Sequence, residues 1–215
     1  MRMINLVSIG LALALAAGCG QASQDTPSGT ASAPVSLQLT TDWSLDADAS
    51  RIGFASVKAG EIIEAHHFYG LSGQISSAGN VAVDIPLDQV ETKIDLRNER
   101  MREILFETGT YPIAKITASV DPEDFKSLTI GGRTQTQIEG TLSLHGVEAP
   151  ITADVFVTRI AERRVEVASV EPVILYVEDF NLTNGLEALR EVANLPSITA
   201  SSPVTFTFVF ETEAV

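Results

Sequence analysis

From Trp43 onward the chain alternates apolar and polar residues with period two, which predicts strands that turn one face to a core and the other to water. The clearest run is NVAVDIPLDQV, where Val81, Val83, Ile85 and Leu87 share one face and Ala82, Asp84, Pro86 and Asp88 the other. The alternation returns at Ala114, Ile116, Ala118 and Val120, at Ile138, Gly140, Leu142 and Leu144, at Ile151, Ala153, Val155 and Val157, and at Val204, Phe206, Phe208 and Phe210. Pro86 has no N–H for a ladder, so its strand is expected to be an edge or bulged. SGQISSAGN, IGGRTQ and LHGVEAP separate the runs as hairpin connections would. Many short antiparallel strands at this spacing make a sandwich or a closed barrel.

Two stretches leave this period. LRNERMREILFETG sets Leu96, Met101, Ile104 and Leu105 at helical spacing before Gly109, and NGLEALREVANL sets Leu186, Leu189 and Ala193 on one stripe. Each reads as an amphipathic lid or plug, or as a plain cover over an open end of the sheet.

The segment before Trp43 has a different character. Arg2 followed by the apolar run Leu6–Ala17 and the small residues Ala16, Ala17 and Gly18 predicts an export signal over residues 1–18, too short to span a bilayer. Cys19 is the sole cysteine, so it has no intramolecular disulfide partner. Leu15-Ala16-Ala17-Gly18-Cys19 resembles the lipobox of bacterial lipoproteins, which implies an acylated Cys19 at the start of the mature chain. Residues 19–42, rich in Ser, Thr, Gly and Gln after the cysteine, are expected to be a flexible tether, and residues 43–212 the domain. The location expected is a periplasm-facing lipoprotein of the bacterial cell envelope. Gly20, not an acidic residue, follows the cysteine and favours the outer membrane by the same resemblance.

Charge narrows the partners. The net charge of −14 becomes −15 once Arg2 is removed, which argues against nucleic acid and against adsorption to anionic lipid. Attachment to membrane would therefore depend on acylated Cys19.

Reactive chemistry is sparse. Three histidines without metal-ligand spacing predict no metal site, and no cofactor is expected. His66 and His67 are adjacent, so on a strand they face opposite ways. One of them could turn inward toward a ligand head group, against the plainer reading of a surface or core histidine. His145 lies opposite Leu142 and Leu144 near a turn and reads as structural. GLSGQ is not a nucleophile elbow, and TIGGRT is no nucleotide fingerprint. Arg97, Arg100 and Arg102 read as a helix face paired with Glu99, Glu103 and Glu107, or alternatively as an anion clamp.

The blocks DWSLDADASRIGFASVK, HHFYGLSGQI, IPLDQVETKIDLRNERMREILFETGTYPIAKI, GTLSLHGVEAPIT and VTFTFVFE together resemble the YceI-like family from Trp43 to about Glu211. The most specific are Arg97-Asn98-Glu99-Arg100-Met101 with Phe106 and Tyr111-Pro112, and Leu144-His145-Gly146-Val147 before Pro150. The resemblance implies a mainly β, antiparallel lipocalin-like barrel with one or two short helices. It also implies non-enzymatic binding, sequestration or transport of a polyisoprenoid, quinone-like or other long-chain amphipathic lipid. Strand and helix parity then names Ile52, Phe54, Phe68, Val83, Ile85, Met101, Leu105, Phe106, Ile116, Leu142 and Leu144 as the apolar lining, with His66 or Arg97 orienting a polar head. A homodimer joined at the barrel mouths is compatible with this. The alternatives are a packed structural or protein-interaction domain and, last, an enzyme using His66 or His67.

Overall fold

The computed structural model describes Leu37 and residues 41–213. The expected signal over residues 1–18, Cys19 and most of the expected tether lie outside the described residues. Leu37, Thr41 and Asp42 of that tether belong to the domain. Leu37 is buried, Thr41 Oγ1 lies 2.9 Å from Thr212 Oγ1, and Asp42 Oδ1 accepts from the Ser77 amide at 2.9 Å.

Among the described residues twelve strands run in chain order: β1 (Trp43–Leu45), β2 (Arg51–Lys58), β3 (Ile62–Phe68), β4 (Ser72–Ile75), β5 (Asn80–Pro86), β6 (Val90–Glu91), β7 (Ile113–Ser119), β8 (Arg133–Leu144), β9 (Val147–Ala161), β10 (Arg164–Ser169), β11 (Val173–Tyr176) and β12 (Ser201–Glu211). Every pairing is antiparallel. On one side β12 pairs with β1 and β2, and on the other with β10 and β11, so each of these couples is one course of the sheet interrupted midway. In the same way β3 and β4 lie against β2 and β1, and β6 and β5 lie against β3 and β4. With β7, β8, β9 and β12 this makes eight courses. Because β1 pairs with both β4 and β12, the sheet closes on itself through β1, while the short strands β6 and β11 each pair on one side only.

The interruptions have local causes. Between β1 and β2 the Asp46 carboxylate accepts from the amides of Asp48 and Ala49, both at 3.1 Å, in an Asx turn. Between β3 and β4 stands Gly70 at φ +67°, a conformation that costs a side-chain-bearing residue energy. Between β5 and β6 a single 3₁₀ turn, Leu87–Gln89, follows Pro86. The strand that ends in Pro86 is neither an edge strand nor bulged, since β5 pairs with both β4 and β7 in unbroken register. Pro86 is the last residue of β5, paired with Ile113 of β7 on one side, while the β4 pairing ends at Asp84 on the other, so no ladder N–H is needed.

The predicted inward faces meet in register. Val83 lies opposite Ile116 and Ile116 opposite Leu142, so one layer of the interior is assembled across three strands. At the end of the barrel where Trp43 pairs with Ile75, the β7–β8 connection folds inward with Phe125 and Leu128 buried, and the Leu37 amide donates to Lys126 O at 3.2 Å. The almost wholly buried Arg159 holds this cap, donating to Leu128 O at 3.1 Å and Glu162 O at 2.9 Å.

The other end carries both helices. LRNERMREILFETG is helical only over α1 (Asp95–Arg100) and a following π-turn (Met101–Leu105), in which the Phe106 amide reaches back to Met101 O at 2.9 Å. The widened turn presents Met101, Leu105 and Phe106 together to the interior, where a regular helix would carry Phe106 off their face. The second helix, α2 (Thr183–Val192), packs on that turn through Gly185. A Cβ there would come 2.7 Å from Ile104 O and 3.0 Å from Leu105 Cα, both backbone atoms. Gly185→Val is therefore expected to destabilise the protein by about 1–3 kcal/mol, overpacking outweighing the few tenths gained in helix propensity. Thermal unfolding checks this: a variant as stable as the parent would mean that α2 does not rest on the turn.

Candidate ligand-binding site

The barrel is hollow. Its inward side chains enclose a cavity of about 570 Å³, within the range of sites that hold one small ligand. The residues named from parity are brought together around it. Ile52 and Phe54 come from β2, His66 and Phe68 from β3, Val83 and Ile85 from β5, Ile116 from β7, and Leu142 and Leu144 from β8, while α1 and its π-turn supply Arg97, Met101, Leu105 and, just beyond, Phe106. Leu186, Leu189 and Ala193 of the α2 region complete the lining above them, although no residue of α2 is fully buried. That helix therefore covers the cavity without being part of a solid core.

Aromatic rings form a collar below this cover. Phe54 stacks on Phe68 with centroids 5.3 Å apart, and Phe68 meets Phe106 at 5.7 Å. Below the collar, the lining from β5, β7, β8 and β9 is aliphatic.

Polar groups gather at one place. Ser56, Lys58, Glu64, His66, Arg97 and Arg100 all reach the cavity. Glu64 accepts from Lys58 Nζ at 2.6 Å and from Arg97 Nη1 at 2.7 Å, and Arg97 Nη2 donates to Thr92 O. The Lys58 hydrogen bond, opposed by burial and reinforced by Arg97, holds the Glu64 carboxyl below its ordinary range. His66 lies one inward position deeper than Glu64 on β3 and is only 4 % exposed, with Nε2 2.9 Å from Ser56 Oγ. Burial first, and the positive charge of Arg97 second, lower its pKa to about 4, so the imidazole is neutral at pH 7. His66 Nδ1 and Arg97 Nε are both buried with no hydrogen-bond partner among the described residues.

The arginines of α1 do not pair with Glu99, Glu103 and Glu107 as a self-contained helix face. Arg97 crosses to Glu64 on β3, and Glu107 instead meets His145 Nε2 at 2.8 Å. Across-sheet geometry outcompetes the local spacing because α1 is less than two turns long before the π-turn shifts its register. His145 is structural: Tyr111 packs on its ring at 4.4 Å, in the β8–β9 turn where Gly146 leaves room for that tyrosine. His67 faces away from the cavity and packs edge-on to Tyr69 at 4.5 Å.

Ser56, Lys58 and Glu64 were missed from sequence, yet the parity that selected Ile52, Phe54, His66 and Phe68 continues straight to them. Leu37, which also lines the cavity, had no such signal. Among the described residues no group of three His, Cys, Asp or Glu side chains could hold a metal ion, and no helix is long and apolar enough to cross a membrane.

A fold of this kind has solved relatives. A polyisoprenoid binding domain from Saccharophagus degradans, implicated in plant cell wall breakdown, superposes with a TM-score of 0.78 at 39 % identity, covering 80 % of this chain and 98 % of that one. BcnA of Burkholderia cenocepacia shares the fold alone, with a TM-score of 0.57 at 13 % identity over 77 % of this chain and 98 % of its own. So does the YCEI protein of Campylobacter jejuni, with a TM-score of 0.50 at 16 % identity over 69 % and 85 %. A search of curated proteins gave no match. The model of the YceI-like domain matches residues 43–211, the whole barrel from β1 to the end of β12, and the chain belongs to the YceI-like family.

Proposed function

We propose that this protein binds a polyisoprenoid or similar long-chain amphipathic lipid inside its barrel, and sequesters or carries it without chemical change. One observation carries the reading. Side chains that a packed domain would bring into contact instead surround about 570 Å³ of apolar space. The polyisoprenoid binding domain at 39 % identity supports a lipid as the occupant. Burial of ten methylenes at about 0.8 kcal/mol each provides roughly 8 kcal/mol before binding costs, so micromolar affinity, which needs about 8 kcal/mol net, requires burial of a longer chain than ten methylenes. The cavity counts against the packed structural alternative. Ser56 Oγ and His66 Nε2 meet in the lining at 2.9 Å, but among the described residues no group orients the ring through His66 Nδ1, and binding needs no chemical step.

The test is organic extraction and mass spectrometry of protein purified from its native envelope. A stoichiometric long-chain lipid is the expected result, and recovery of water-soluble compounds alone would overturn the proposal.

The proposal extends to location. Acyl chains on Cys19 would hold the barrel beside the membrane in the periplasm, with the outer membrane favoured, and the lipid cargo would have a short path to and from the bilayer. Cys19→Ala should abolish incorporation of labelled fatty acid and release the protein from the membrane fraction, while the isolated barrel keeps its stability. Unchanged membrane association would remove the anchor from this account.

A further inference from the structure

The charge of the cavity is opposite in sign to the charge of the protein. The chain has 14 basic and 28 acidic residues, yet the charged residues that line the cavity are Lys58, Arg97 and Arg100 against Glu64 alone. Glu64 is ionised and engaged by Lys58 and Arg97, so it offsets one of the three cations and two remain in excess. Arg100 has no ion-pair partner among the described residues. The side chains of Lys58, Glu64 and Arg97 are 24 %, 28 % and 24 % exposed, which places them at the opening, with buried His66 directly beneath.

Two unsatisfied groups point to what belongs there. Arg97 Nε is an obligate donor, and the neutral His66 ring donates from Nδ1 when Ser56 gives its hydroxyl proton to Nε2. Buried donors without acceptors are costly, and the oxygens of an anionic group seated here would supply acceptors while neutralising the excess charge. A neutral carbonyl or hydroxyl would satisfy the donors and leave the two cations uncompensated. Resting on the lipid-binding reading, we infer that Lys58, Arg97, Arg100 and His66 form a subsite for an anionic head group, a carboxylate or a phosphate, on the lipid whose tail fills the cavity.

Matched pairs of probes that share a tail test this on delipidated protein: geranylgeranyl phosphate against geranylgeraniol, and palmitate against hexadecanol. The phosphate, the carboxylate or both should bind at least about tenfold more tightly than the corresponding alcohol, with an advantage that shrinks as salt is raised. Whichever pair shows the larger ratio identifies the head group. Arg100→Gln breaks no ion pair seen among the described residues and should reduce the ratio. Arg97→Gln should reduce it further. Equal binding of anion and alcohol, or a ratio unmoved by Arg100→Gln, would overturn this inference and leave the lipid-binding barrel intact. Failure of all four probes to bind would overturn both.

Discussion

Ala153→Phe is expected to cost about a hundredfold in affinity for a C20 prenyl probe while leaving the melting temperature unchanged or higher. Ala153 sits in the middle of β9 opposite Ile138, on the inward face between Ile151 and Val155, and lines the cavity with a single methyl group. A phenyl ring placed there points into empty space and occupies volume that the tail needs, so the ligand loses several methylenes of burial at about 0.8 kcal/mol each. The protein itself gains contacts, because filling a void is among the commoner stabilising substitutions. The two readouts together separate a hollow barrel from a packed one. In a packed interior the same ring would be overpacked and would lower stability by about 1–3 kcal/mol. Isothermal titration and thermal unfolding of one preparation decide the matter, and a destabilised variant with unaltered affinity would contradict the cavity.

The second large effect concerns acid. With its pKa lowered to about 4 in the folded protein against about 6.5 unfolded, His66 binds a proton more readily in the unfolded chain. Stability from this source is complete above about pH 6.5 and is lost as pH falls toward 4, below which both states are protonated and no further loss occurs. The shift corresponds to about 3 kcal/mol. Lys58, Lys93 and Arg97 add to the depression and Glu64 opposes it, so the cation cluster at the opening and burial act in the same direction. Glu64 also has a lowered pKa, and its contribution falls away at still lower pH, below the ordinary carboxylate range. His66→Phe should flatten the profile between pH 4 and 6.5 in denaturant titrations of the ligand-free protein. An unchanged slope there would mean that His66 is solvated. Ligand should matter too: an anion bound beside the ring would raise the histidine's pKa toward its unfolded value, so the acid loss becomes smaller and ends at a higher pH.

Most of the barrel was legible because period-two alternation is a direct consequence of strand geometry. Val83, Ile116 and Leu142 were assigned to one inward face from spacing alone, and the register sets them in a single layer. His66 could be separated from His67 by the same parity. What parity cannot reach is any contact made where the chain leaves the strand period. The π-turn at Met101–Leu105 changes which helix residues share a face, so an i,i+4 reading of the arginines and glutamates failed there. The breaks between β1 and β2 or between β3 and β4 also look like ends of strands in sequence, although β12 runs unbroken along both β1 and β2 and the β3–β4 course follows theirs.

By itself the sequence determined the strand faces, the inward residues, the acidic exterior and the family resemblance, since each follows from residue type and local spacing. The tertiary structure decided that those faces surround a space and that Arg97 reaches Glu64 above a buried histidine, and it placed Leu37 in the floor of the barrel. Closure depends on pairing β1 with β12, residues more than 160 positions apart, and a cavity depends on the total volume of side chains around the ring. Neither quantity is written in any local window of the chain.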